Sequence, residues 1–107
     1  MHKIFYHFLM GFCLLLANHS FSKGMSAKDT YEKYCSVCHA TGLAGAPKYQ
    51  SNDWSARCHE KHLKGLLASA MAGINAMPVK GTCDICQQED ILAAIKYMVQ
   101  KNEINCR

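Results

Sequence analysis

The chain has 107 residues, with 12 Lys and Arg against 8 Asp and Glu and a formal charge of +4 at neutral pH. That length holds one small domain, and the basic side chains are scattered, which argues against the basic stripe of a nucleic-acid binder. No internal repeat or low-complexity linker divides it.

In chain order, the first expected element is an export signal over residues 1–22. Lys3 gives a basic start, Ile4 to Ala17 an apolar run and Asn18 to Ser22 a polar exit. Ser20 and Ser22 are the small residues that flank a cleavage site, so the cut is expected after Ser22, with Gly24 as second choice. The apolar run is short for a bilayer span and is interrupted by His7, which ranks an uncleaved anchor second and leaves no stable membrane insertion after cleavage. Cys13 lies inside the signal, behind Phe12, outside any small-residue lipoprotein context.

Residues 23–107 then form the domain, with eleven basic and eight acidic side chains. So short a chain buries little on its own and needs disulfides, a metal or a cofactor. Cys35, Cys38, Cys58, Cys83, Cys86 and Cys106 are an even set that suits an exported chain.

Three helices are expected, and no segment alternates like a strand, so the fold class is all-α. The first runs from about Ala27 into CSVCH at 35–39. Ser26 and Asp29 resemble a capping box, and Ala27, Tyr31, Tyr34, Cys35 and Cys38 share one face. The second covers about Lys61 to Ala72, with Leu63, Leu66, Leu67, Ala70 and Met71 inward and Gly73 as a stop. The third covers about Gln88 to Lys101, with Ile91, Leu92, Ile95, Met98 and Val99 inward. TGLAGAPK (41–48) and NAMPVKGTC (75–83) are the loops between them.

CSVCH admits three chemistries. A four-cysteine zinc site can be written with Cys83 and Cys86, but the two pairs lie much further apart than the roughly 15–20 residues of a zinc ribbon. A redox dithiol would want a βαβ context, which is missing. Covalent haem attachment uses every residue. Two thiols spaced i, i+3 reach one face of the chain and add to the two vinyl groups, and His39 then reaches the iron. A haem would also supply the apolar bulk that a small core lacks.

The second axial ligand has several candidates: Met25, Met71, Met77, Met98, His59 and His62. Met71 and Met98 sit on inward helix faces, Met25 lies near the new N-terminus, and His59 and His62 are flanked by charges. Met77 has no helix face to fill and precedes the stiffening Pro78. Ligation is favoured over gap-filling there, and a thioether raises the potential relative to a second imidazole.

CSVCH, then TGLAGAPK, then KGLLASAMAGINAMPVKG, then a second CxxC before a final helix together resemble the cytochrome c5 group of small class I c-type cytochromes, over nearly all of residues 29–99. The resemblance implies a class I cytochrome c fold, about three main helices wrapped round one covalently attached haem c. It implies Cys35 and Cys38 as thioether cysteines, His39 as proximal and Met77 as distal ligand. It also implies that the Pro47 carbonyl orients His39, although Pro47 also serves as a rigid turn. Trp54 is placed in the haem pocket or near a propionate, with ordinary core as the alternative. Cys83 and Cys86 match a disulfide of that group, here favoured over a working redox pair. Cys58 and Cys106 depart from its pattern; they either bridge each other or leave Cys106 for an intermolecular bond.

The expected function is that of a periplasmic single-electron carrier in respiration, not an enzyme. Its expected partners are redox proteins: a quinol-oxidising complex or cytochrome upstream and a terminal oxidase or reductase downstream, met through small, weakly steered interfaces by a monomer or weak dimer. A sensor or peroxidase-like haem with an open sixth position is the alternative, and a cysteine-bound zinc module ranks last.

Overall fold

The structure, a computed structural model, describes residues 23–107. The expected export signal and its cut after Ser22 lie outside the described residues. Helix α1 (Ala27–Thr30) passes without a break into a π-turn (Tyr31–Cys35) and then α2 (Ser36–His39). Helix α3 spans Trp54–Ala72 and α4 spans Gln88–Val99. Short 3-10 turns cover Leu43–Gly45, Val79–Thr82 and Gln100–Cys106. Among the described residues there is no strand, only an isolated antiparallel bridge between Ile74 and Met77.

The ends of these helices follow from local chemistry. Ser26 Oγ accepts the Asp29 N–H at 3.0 Å, satisfying a free donor at the start of α1. A reciprocal capping box forms at α4, where the Asp90 carboxylate accepts the Gln87 N–H at 2.8 Å and the Gln87 side chain accepts from the Asp90 backbone. Helix α4 packs against both α1 and α3. Its Ile91, Ala94, Ile95, Met98 and Val99 are buried against Tyr31, Leu66 and Ala70. Each large apolar side chain so buried contributes about 1.5–3 kcal/mol.

Two helix boundaries differ from the sequence reading. Helix α3 begins at Trp54, well before Lys61, and is broken at His62, which takes φ 55° and ψ 176°. The leading segment buries only Trp54 and Cys58, one turn apart, among charged residues. Its apolar periodicity is therefore too sparse to read. At the other end α4 stops at Val99, and the tighter turn that follows carries Asn102 and Cys106 inward, both buried.

Candidate functional site

The CSVCH stretch starts in the π-turn, which inserts an extra residue into the helical repeat. Cys35 is buried there with its Sγ 3.8 Å from the Thr30 carbonyl, and Thr30 is itself fully buried. Cys38 is half-buried, and both thiols are free. Burial, then the neighbouring Cys38, push the Cys35 thiol up to about 11, so it is held protonated.

His39 follows at the end of α2 and is only 7 % exposed. Its Nδ1 lies 2.8 Å from the Pro47 carbonyl oxygen. A carbonyl only accepts, so Nδ1 carries the proton and donates, and Nε2 keeps its lone pair. Burial lowers the His39 pKa against the opposing pull of the Pro47 bond, which keeps the ring neutral. The Trp54 ring lies almost parallel to the imidazole, 5.7 Å away at 17°. The buried indole finds its partner in the Lys48 carbonyl, to which Nε1–H donates at 2.9 Å. The Tyr49 N–H in turn donates to the His39 carbonyl at 2.6 Å. Residues 47–49 thus hold the histidine at both ring and backbone, and Trp54 stands beside the imidazole.

Met77 is half-buried, in a loop built from its own backbone. Ile74 and Met77 exchange N–H to carbonyl bonds of 3.0 and 2.8 Å across a turn in which Asn75 has φ 51°. Gly73, with φ 81°, lets the chain pass close by: a Cβ there would stand 3.1 Å from the Met77 carbonyl oxygen. Lys80, Gly81 and Thr82 are all left-handed, at φ 54°, 57° and 70°. Cys83 is bonded to Cys86, and Lys80 Nζ donates to the Cys86 carbonyl at 3.0 Å. Of the other candidate ligands, Met98 is core, Met25 and Met71 are half-buried, and His59 and His62 are exposed.

Cys58, on α3, is bonded to Cys106, and all four bridged cysteines are buried. Because Cys83 and Cys86 are joined, they have no thiolates to give zinc, and among the described residues no cluster of three or more His, Cys, Asp or Glu could hold a metal. The sequence reading missed Thr30, Asn102 and the aromatic triangle of Tyr31, Tyr49 and Tyr97, whose ring centroids are 4.6 to 5.6 Å apart. The inward position of Tyr31 on the first helix was the only signal for that triangle. No helix among the described residues is long and apolar enough to cross a membrane.

Two free thiols one helical turn apart, a neutral histidine with Nε2 uncommitted and a loop thioether form a donor set that fits a covalently attached haem. Residues 22–98 match the family model described as cytochrome C oxidase, cbb3-type, subunit III. Cytochrome c5 of Azotobacter vinelandii is 48 % identical over 75 residues, 68 % of this chain and 90 % of that protein. The mono-haem ferrocytochrome c of Shewanella putrefaciens superposes with a TM-score of 0.62 at 41 % identity, over 72 % of this chain and 95 % of that one. A chain from the crystal structure of the electron transfer complex of nitrite reductase with cytochrome c superposes with a TM-score of 0.65 at 30 % identity, over 75 % and 99 % of the two chains.

The fold is that of a c-type cytochrome, and the chain belongs to the cytochrome c5 group of class I. It is an electron carrier with one covalently attached haem c, and its partners are redox proteins.

Proposed function

We propose that this cytochrome works in the periplasm, after removal of residues 1–22, as a carrier whose haem is held by four residues. Cys35 and Cys38 would hold the haem through thioethers, and His39 Nε2 and Met77 Sδ would bind its iron. The observation that carries this reading is the buried, neutral His39, fixed by the Pro47 carbonyl at 2.8 Å and adjoining a free cysteine pair. The haem supplies one-electron ferric–ferrous chemistry.

The residues around it do the rest. Pro47 sets the imidazole tautomer and orientation and raises the basicity of Nε2. Trp54 fixes the ring plane by its near-parallel contact. The Met77 thioether favours the ferrous state. Two protein ligands leave no open position for substrate, so the protein turns nothing over. The Cys83–Cys86 bridge restrains the Met77 loop, and the Cys58–Cys106 bridge ties the chain end to α3. The proposed donor is a quinol-oxidising complex or another cytochrome, and the acceptor a terminal oxidase or reductase. The structural neighbour from a nitrite reductase complex supports an acceptor of the reductase kind. Transfer through brief, small contacts suits a monomer or weak dimer.

Optical spectra of the exported protein in both oxidation states test the reading. The expected result is sharp ferrous bands, a weak long-wavelength ferric band from sulfur ligation, and haem that survives a denaturing gel. Covalent haem without the sulfur band would remove Met77 from the iron, and haem lost on the gel would remove the thioethers.

A further inference from the structure

Pro47, whose carbonyl holds His39, sits in a loop that is itself anchored from the far end of the chain. The Gln50 N–H donates to the Met98 carbonyl at 2.8 Å, and Gln50 Nε2 donates to Gln100 Oε1 at 2.7 Å. Asn102 Nδ2 donates to the Ser51 carbonyl at 2.9 Å, and Asn102 is only 5 % exposed. The turn that carries Gln100 and Asn102 ends at Cys106, which is bonded to Cys58. Cys58 lies one helical turn after Trp54, the ring stacked beside His39. These contacts close a ring: His39 to Pro47, along the loop to Ser51, across to Asn102, down the turn to Cys106, over the bridge to Cys58 and back through Trp54 to His39.

Residues 46–53 contain no regular helix, Pro47 has no N–H to give, and Gln50 takes the costly left-handed φ of 51°. Next to Pro47, Lys48 is bonded to Trp54 and Asp53 and Tyr49 to His39, and the long-range bonds to residues 98–102 fix the far side of the loop against α4.

We infer that the Gln100–Cys106 turn, locked by the Cys58–Cys106 bridge, is a brace that sets the His39–Pro47 hydrogen bond, with Asn102 as its positioning residue. The inference rests on His39 being an axial ligand. A short, fixed Nδ1–H to Pro47 bond makes the imidazole a stronger donor to iron and favours the ferric state. Releasing the brace lets Pro47 drift, weakens that bond and raises the reduction potential. A chain-end disulfide with a purely structural role would stabilise the fold and leave the potential alone.

The test uses the exported, haem-loaded protein and three neutral variants: Asn102→Leu, the double variant Cys58→Ser/Cys106→Ser, and Ile91→Ala. Ile91 is buried in the first turn of α4, outside residues 98–106, so it supplies a destabilised control. Two quantities are read, the reduction potential and the exchange rate of the His39 Nδ1 proton by NMR in the ferrous state. The expected result is an upward shift in potential and at least about tenfold faster exchange in the first two variants and not in Ile91→Ala, since exchange tracks local opening. The double variant carries the test if Asn102→Leu does not fold. Unchanged potential and exchange in the brace variants, or the same changes in Ile91→Ala, would overturn the inference while leaving the axial assignment standing. If the His39 ring protons of the unaltered ferrous protein show no shift from the haem, the axial assignment falls and this inference with it.

Discussion

The two sides of the site are built by different means. His39 is held by partners outside its own helix: the Pro47 carbonyl, the Trp54 ring, and a loop tied across the fold to residues 98–102. The bridge behind it joins cysteines 48 positions apart. The Met77 loop is held by its neighbours: the Ile74–Met77 turn, the close pass at Gly73, three successive left-handed residues, and a bridge across 3 positions. One side is a product of the assembled fold, and the other is close to a self-contained clasp. The difference predicts that changes in the Gln100–Cys106 turn reach the histidine side, while changes within residues 73–86 act on the methionine side.

Breaking each bridge measures that contrast most directly. In a chain-entropy account, a bridge that closes a loop of nearly fifty residues contributes about 4 kcal/mol, and one that closes a four-residue loop about 2 kcal/mol. Cys58→Ser/Cys106→Ser should therefore lower the unfolding free energy in urea roughly twice as far as Cys83→Ser/Cys86→Ser. Equal losses would mean that the long bridge joins parts already held together in the unfolded ensemble.

Met77→Ala sharpens the comparison from the other side. The potential should fall, because a thioether that favours ferrous iron is lost, and the ferrous protein should bind carbon monoxide rapidly where the unaltered protein binds it slowly. Hydrogen exchange at the Gln50 amide, which donates to the Met98 carbonyl beneath the histidine, should hardly change, since none of the contacts that fix its loop involves the Met77 loop. A large change there would show that the two sides are coupled.

The smallest effect concerns Asp53. It accepts the Lys48 N–H at 3.1 Å, and that bond, aided by Ser51 and nearby cations, holds its carboxyl below the usual range. A folded-state pKa below the unfolded value adds stability that is present above the unfolded pKa and is lost as pH falls through the folded one. Asp53→Asn should flatten that low-pH loss slightly in an acid titration followed by circular dichroism, and leave neutral stability almost unchanged. A marked loss at neutral pH would make Asp53 part of the histidine support.

What could be read in advance follows the same division. CSVCH was legible because its chemistry lies within five consecutive residues. Met77 stood out because a methionine between Gly73 and Pro78 fills no helix face. Helix α4 was legible from its regular apolar period, though its capping pair, Gln87 and Asp90, was not singled out. Pro47 came from resemblance, since nothing local marks a proline carbonyl as a histidine's partner. Tyr49 and Asn102 were not legible at all. Tyr49 owes its place to His39 ten residues before it, and Asn102 to Ser51 half the chain away.

By itself, the sequence determined the class of this protein, its cofactor chemistry and its all-α architecture, because motif spacing and apolar period are local properties of the chain. Only the tertiary structure decided that Trp54 opens a helix beside His39, that Cys58 meets Cys106, and that the last turn reaches back to the loop under the histidine. Those outcomes depend on which surfaces meet when α3 and α4 pack. A buried polar group accepts whichever partner that packing brings within hydrogen-bonding distance.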